Sequence, residues 1–411
     1  MPVNLLPAIA PILAILYGLG FANLFLRSNF GVLAPELSRE LALEPRNLSV
    51  VASVYFFAYA AMQVPTGMLL DRYGPRRTIA GLLLFTAIGT ALFAAGSSTP
   101  TLLIARLLMG MGCAGIFTGA FYVLSNWLTP SQVVVHAGAL NSFAAVGNLC
   151  ATTPFAILIA WIGWRDSYWL FTASVGVLLL AVALFLRESP PGKPAPEPRR
   201  EGLARAFAGV IEALKQHGVR RLLVVGLPMS SAGAISGVWG APYLKDVHAL
   251  DDIGRGNVLL AMAMCATAGH FLYGQLARRL NTIKGMITAG SFAIVGAAAM
   301  LAVLERPPLL LVTALFCLLG LCGAYPTLSH AHARGLVPAH LIGRGISLIN
   351  MGIMLAAAVM QLTFGWIVGA FVYTAGAAPE HAYRAAFAVQ AAVALFAIVI
   401  YAPIRDVRPR G

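Results

Sequence analysis

Gly67-Met68-Leu69-Leu70-Asp71-Arg72-Tyr73-Gly74-Pro75-Arg76-Arg77 separates one apolar stretch from the next with a single acid, three arginines and a Gly-Pro turn. The flanking runs, 48–70 and 78–97, are each long enough as helix to cross the bilayer; a crossing of the roughly 30 Å hydrocarbon layer takes about 20 residues. The stretch therefore reads as a tight turn at a membrane surface, and its arginines mark the cytoplasmic side. Outward from this turn, similar runs fill the chain. Helices are expected near 10–35, 48–70, 78–97, 101–127, 133–159, 167–187, 221–245, 254–277, 285–304, 309–332, 343–372 and 383–403. Backbone groups in lipid need partners within their own segment, so each run reads as a helix.

Composition agrees. The 411 residues are 59% hydrophobic and only 10% charged, against about 25% charged in a soluble domain. The formal charge of +13 might suggest nucleic acid, but the basic residues sit mostly in alternate loops, and no nucleic-acid partner is expected. With the N-terminus placed in the cytoplasm, 19 basic residues fall inside and seven outside, while Arg27 and Arg106 lie within spans. That bias puts both termini in the cytoplasm of a multi-pass inner-membrane protein. The N-terminus shows no basic n-region or cleavage site, so the first apolar segment is expected to remain as a helix. Cys113, Cys150, Cys265, Cys317 and Cys322 lie in apolar runs without metal spacing and read as packing residues. No metal and no cofactor are expected.

The soluble stretch from Arg187 to Arg221 carries Pro190, Pro191, Pro194, Pro196 and Pro198, then an amphipathic piece around 203–214. It divides the chain into residues 1–187, a cytoplasmic linker 188–220, and residues 221–411. Its basic residues should lie against anionic headgroups, so membrane lipids are expected partners. The two parts look like copies. At an offset of 207 to 208, Gly67 pairs with Gly274, Arg72 with Arg279, Arg77 with Lys284, Gly112 with Gly320, Gly115 with Gly323 and Pro130 with Pro338. Repeats of this kind place a binding site near the midplane between the halves.

The turn at 67–77 resembles the signature loop of the major facilitator superfamily, with Gly67, Asp71, Arg72, Gly74 and the basic pair Arg76-Arg77 at the family's spacing. Pro75 departs from the basic residue often found there. In the copy Gly274-Gln275-Leu276-Ala277-Arg278-Arg279-Leu280-Asn281-Thr282-Ile283-Lys284 the acid is lost. Arg106 followed by Gly110, Gly112 and Gly115 is similar to the family's fourth-helix pattern. The resemblance covers the whole chain. It implies an all-α membrane protein with twelve transmembrane helices in two pseudo-symmetric six-helix bundles, a secondary active transporter and not an enzyme. Asp71, Arg72 and Arg76 would form a cytoplasmic latch, Asp71 capping a neighbouring helix; the plainer reading is that they only enforce topology. Arg106 either faces protein as a conformational element or snorkels to the surface.

Arg27, deep in the first helix within Phe25-Leu26-Arg27-Ser28-Asn29, is the chief candidate substrate contact. A guanidinium fork suits a carboxylate or phosphate. The segment resembles the organic-anion branch of the superfamily, which includes vesicular glutamate and sialic acid carriers, where an arginine before a small residue and Asn meets a substrate carboxylate. The alternative is a structural arginine bonded to carbonyls. Tyr55, Tyr59 and Gln63 follow at i, i+4 and i+8 on the second helix. Tyr122, Asn141, His270, Tyr325 and Asn350 add polar groups from other helices. All 15 acidic residues fall in loops or at helix ends, so an intramembrane carboxylate relay is disfavoured, and His270 is the best proton carrier. The function expected is proton-coupled uptake of a small organic anion, a carboxylate, by a monomer. The alternative is efflux of an amphipathic compound or drug, but the proline-containing glycine motif of many drug antiporters is not evident around Gly138–Asn148.

Overall fold

The computed structural model describes residues 6–190, 203–216, 218–338, 341–371 and 378–408. All regular structure among them is helical, as a chain this apolar requires. The first half holds α1 (Leu6–Ser28), α2 (Phe30–Glu40), α3 (Pro45–Ala61), α4 (Gln63–Ala95), α5 (Thr99–Cys113), α6 (Ile116–Trp127), α7 (Pro130–Cys150) and α8 (Thr153–Phe185). The amphipathic piece forms α9 (Leu203–Lys215). The second half holds α10 (Val219–Leu223), α11 (Gly226–Ala234), a π turn (Ile235–Trp239), α12 (Gly240–His248), α13 (Asp252–Leu280), α14 (Lys284–Val303), α15 (Leu309–Cys322), α16 (Pro326–Leu336), α17 (Ile342–Val368) and α18 (Glu380–Tyr401). The expected prolines 191, 194, 196 and 198 lie outside the described residues.

Eleven stretches are long and apolar enough to cross a membrane. The twelfth segment emerges from two breaks. α4 turns at Gly74 (φ 75°, ψ 166°) and α8 at Gly163 (φ 79°, ψ 162°), conformations that glycine adopts without strain. Each break separates two crossings. The remaining pieces join across interruptions of one to three residues, so α3 continues past Met62 to Tyr73 as the second span. Span ends differ from the expected ones by several residues. The second begins at Pro45 and the fifth at Pro130. Proline at the first helical position and a Thr129–Gln132 capping box set these starts, whereas hydropathy marks only where the apolar run begins. Trp161, Leu310, Val134 and Val303 are among the strongly exposed apolar side chains, as expected of a surface that faces acyl chains.

The copies are visible in contacts as well as in sequence. A Cβ added at Gly110 would strike the Tyr55 carbonyl, and one at Gly320 would strike the Met262 carbonyl. These are equivalent helix crossings, so Gly320 answers structurally to Gly110 and not to Gly112. Each half is also strapped by the chain leaving its last helix. Trp127 Nε1 donates to the Arg187 carbonyl at 2.9 Å, and Glu188 places its carboxylate against Gly74. In the second half His332 Nε2 donates to the Arg405 carbonyl at 2.9 Å while its Nδ1 accepts from the Tyr401 hydroxyl at 2.8 Å. Asp406 then accepts from the Lys284 amide at 2.8 Å, the Ile283 amide at 3.2 Å and the Thr282 hydroxyl at 2.5 Å. The tail thus brings an acid to the turn before the third span of this half, as Glu188 does in the first. Asp406 sits at the positive end of α14.

Partial burial of Asp406 works against its charge, but the Thr282 hydroxyl and the two amides outweigh this and hold its carboxyl below the usual range. A carboxyl depressed on folding stabilises the protein above its unfolded pKa, and that contribution fades as pH falls through the folded one. Asp406→Asn should therefore lower thermal stability at pH ~7, by about 1 kcal/mol for a lost charged cap. The gap to the wild type should close below about pH 4, read by thermal unfolding in detergent at both pH values. A gap unchanged at low pH would show that the charge contributes nothing.

Candidate functional site

Along α1, Ile12, Leu16, Leu19 and Leu26 are buried, while Tyr17, Leu24 and Arg27 lie on a partly open face. The Arg27 guanidinium carbon is 5.9 Å from the centre of the Phe56 ring. Its charge acts on Tyr59 of α3 and on His270 of α13. Tyr59 in turn reaches the side chains of Gln63 on α4 and Asn350 on α17. Five helices from both halves thus bring Arg27, Tyr59, Gln63, His270 and Asn350 together. Gln63 Nε2 is buried and lies toward the Tyr59 hydroxyl, but among the described residues it makes no hydrogen bond of normal geometry. Among the described residues no carboxylate forms an ion pair with Arg27. The group offers a fixed cation, an orphan amide donor, and side chains that donate or accept, with no acid.

Other residues read from sequence lie elsewhere. Tyr55 is fully buried inside the first half, with its ring 4.5 Å from the Arg106 guanidinium carbon and its hydroxyl beside the Cys113 thiol. It supports Arg106 and does not line the group around Arg27. Tyr59, one turn further on, is buried too but reaches the group around Arg27. Tyr325 is also fully buried, its hydroxyl within 3.1 Å of the Ser291 hydroxyl and donating to the Val225 carbonyl at 3.3 Å. It braces three helices of the second half. Asn141 is exposed and donates to the Ala137 carbonyl of its own helix at 2.9 Å, and Tyr122 is half-buried on α6.

Arg106 is 1% exposed, so it does not snorkel. Its guanidinium lies between the Phe30 ring at 4.7 Å and the Tyr55 ring at 4.5 Å, and donates to the Leu26 and Ala52 carbonyls at 3.5 Å each. A desolvated cation–π contact contributes about 2 kcal/mol, and two such faces with two carbonyls substitute for a counter-ion. At the loop of 67–77, Arg76 donates to the Ala183 carbonyl and Arg72 lies 5.2 Å from the Tyr73 ring. Asp71 sits on α4 between them and the membrane span.

The side-chain contacts between the halves gather toward the end of the molecule that carries Glu40. A Cβ on Gly31 would lie 2.8 Å from the Ser236 carbonyl in the π turn, a close approach that only glycine permits. Arg46 stacks on Trp366 at 5.3 Å, Ser49 presses on Gly365, and Thr153 Oγ1 donates to Asn257 Oδ1 at 2.9 Å. Arg255, nearly buried, pairs with Asp252, donates to the Asp251 carbonyl at 3.3 Å and feels the charge of Glu36 across the seam. The first half braces this end with Glu40, which accepts from Trp164 and pairs with Arg165. Sequence reasoning took Trp164-Arg165 as an interface anchor and passed over Arg46 with Trp366 and Thr153 with Asn257, whose contacts join residues far apart in the chain. Toward the opposite end His270 is exposed on α13, while Tyr59 and Gln63 of the same group are buried.

These features are those of a membrane carrier, and the chain belongs to the Major Facilitator Superfamily, which it matches over residues 16–359. It is a multi-pass membrane transporter and not an enzyme. It is 30% identical over 165 residues to the probable sulfoacetate transporter SauU of Cupriavidus necator, covering 40% of this chain and 38% of that one. It is 25% identical over 256 residues to a putative tartrate transporter of Agrobacterium vitis, covering 58% and 56%. The matched stretches thus span less than two thirds of either relative. Among solved structures, a bacterial homolog of the human lysosomal transporter Spinster, inward-facing and unoccupied, superposes with TM-score 0.78 at 16% identity over 96% of each chain. The nucleoside transporter NupG superposes with TM-score 0.75 at 12% identity, over 96% of this chain and 99% of its own. Both share the fold.

A carrier sealed at the Glu40 end must open there to cycle. With the native cysteines replaced, Thr153→Cys with Asn257→Cys and a short reducible bis-thiol crosslinker should cut transport in proteoliposomes roughly tenfold or more, and reductant should restore it. Tenfold corresponds to about 1.4 kcal/mol, which a covalent tie easily exceeds. Undiminished flux in fully crosslinked protein would show that this seam stays shut throughout the cycle.

Proposed function

We propose that this transporter carries a small organic anion, a carboxylate, across the inner membrane by alternating access, with Arg27 as its charge anchor. The observation that carries this reading is Arg27 itself, partly open among Tyr59, Gln63, His270 and Asn350, with no described carboxylate to neutralise it. An unpaired cation at membrane depth is costly. A substrate carboxylate supplies the missing charge, accepts from the guanidinium fork and gives Gln63 Nε2 an acceptor. The printed functions of the relatives, sulfoacetate and tartrate transport, concern small organic anions and support the same class.

In this reading residues 1–187 and 221–411 are the two moving bundles and 188–220 the linker, and the chain works as a monomer. Both termini and the Asp71 end face the cytoplasm, as the basic loops favour, so the arrangement described is the inward-open one. Asp71, Arg72, Arg76 and Arg106 act in the conformational change. Uptake is driven by protons through His270. A protonated His270 beside Arg27 is opposed by like charge until an anion arrives, so anion and proton bind cooperatively.

Two measurements test this. Purified protein screened by thermal shift against small carboxylates and their neutral analogues should be stabilised by the anions, since ligands of the native state raise stability by mass action. Arg27→Lys keeps the charge but loses the fork, and should weaken the best carboxylate about tenfold, the worth of one charged hydrogen bond of ~1.5 kcal/mol. Arg27→Ala should weaken it at least about thirtyfold, following the roughly 2–5 kcal/mol lost on truncating one partner of a buried charge pair. Near-normal affinity in folded Arg27→Ala protein would make the residue structural. For His270→Ala, uptake that rises in the wild type as pH falls through the imidazole range should become nearly flat with pH. An unchanged profile would remove His270 from proton coupling.

A further inference from the structure

The linker helix and the seventh span meet at a hollow lined by cations. α9 ends at Lys215, Gly218 turns the chain in the left-handed region (φ 91°), and α10 starts at Val219. Lys215, Gln216, Gly218, Arg220 and Arg221 enclose a cavity of about 310 Å3. Three of the five lining residues are basic and none is acidic. Among the described residues no carboxylate pairs with any of the three. Arg220 is steadied by its Nε, which donates to the Leu214 carbonyl at 3.2 Å. That bond spans the turn and leaves the two terminal nitrogens as donors for an incoming group.

The hollow has a firm base and a fixed depth. Ala213 and Val219 bury against Val337, Leu341 and Leu348, which ties α9 and the start of the seventh span to α17. The apolar crossing segment begins at Val219 itself, so the three cations stand at the level where a bilayer keeps its headgroups. On the same short helix Ile211 is half exposed at 52%. A basic cluster beside an exposed apolar side chain is the pattern of a segment lying in the membrane interface.

We propose that this hollow binds the phosphate of an anionic phospholipid headgroup, and that the bound lipid pins α9 to the bilayer at the Asp71 end. The cations and the size of the hollow suit a phosphate of any source. A lipid is favoured because the site lies where the seventh span enters the membrane, with Ile211 beside it to meet the acyl region. α9 packs against α4 of the first half and α17 of the second, so a lipid held here acts on an element that touches both halves. The inference is independent of what Arg27 binds.

The test uses the full chain in a neutral maltoside detergent, followed by thermal unfolding during titration with short-chain phosphatidylglycerol, short-chain phosphatidylcholine or inorganic phosphate. Phosphatidylglycerol should stabilise the wild type and phosphatidylcholine should not. Lys215→Gln, Arg220→Gln and Arg221→Gln should each weaken the phosphatidylglycerol response about fivefold, which is the ~1 kcal/mol per basic residue near an anionic surface. The triple variant should lose nearly all of it. Reading the single variants separately guards against a triple variant that does not fold. Arg278→Gln, Arg279→Gln and Arg334→Gln combined, which remove the same charge from the same end, should leave the response intact. Equal loss in that control would reduce the effect to bulk charge and overturn the site. Inorganic phosphate stabilising as well as phosphatidylglycerol would assign the hollow to a free anion and overturn the lipid.

Discussion

Hydrocarbon offers no hydrogen-bond partner, and most of what is distinctive in this structure follows from that. Backbone groups must be satisfied within each segment, so the chain is helical wherever it crosses, and turns fall where glycine, proline or a cap can close a helix. Gly74 and Gly163 turn the chain inside what would otherwise be two very long helices. The same constraint governs side chains. Arg106 is held by two rings and two carbonyls drawn from the first two spans. Arg27 has one distant ring and an open face. Two arginines inside one bundle are thus solved differently, one internally and one by leaving room for something from outside.

Much of the fold was legible because hydropathy, charge bias and the 67–77 turn all bear on the same question. Twelve crossings, an internal repeat and a linker rich in proline are written in residue types and spacing. Span ends were not, since Pro45, Pro130 and the Thr129–Gln132 box act locally and leave hydropathy unchanged. The repeat offset was right to within two residues, and the remaining slip, Gly110 for Gly112, became visible only through the carbonyls those glycines approach.

The candidate site was legible in its anchor and less so in its lining. Depth alone singles out Arg27 as a cation in lipid. Helical periodicity then put Tyr55, Tyr59 and Gln63 on one face, but a face about one side chain wide has edges. Tyr55 falls over the edge into the bundle, where Arg106 needs its ring, while Tyr59, also buried, meets Gln63 and Asn350. Tyr325 shows the same limit, since a tyrosine in a span reads identically whether its hydroxyl meets a cavity or, as here, Ser291 and a carbonyl. The Glu40-end seal was invisible for another reason. Its members, Arg46 with Trp366 and Thr153 with Asn257, come from opposite halves, and no local pattern pairs them.

The two ends of the molecule are built on unequal principles. At the Glu40 end the halves touch directly, glycine to backbone and cation to ring or acid, so the seal is a set of short-range contacts that forms or breaks as a unit. At the other end each half is tied mainly to itself. Trp127 and Glu188 strap one bundle, and His332 and Asp406 strap the other. Straps of this kind stiffen a bundle without joining it to its neighbour. In each half an acid from the chain leaving the last span, Glu188 or Asp406, reaches the turn before the third span, which argues that a negative charge there serves the rigidity of that bundle. Rigid halves are what a rocking mechanism requires, because motion that dissipates inside a bundle does not reach the site between them. With the close glycine and cation contacts gathered at one end and internal straps at the other, the seam can part without either bundle coming apart.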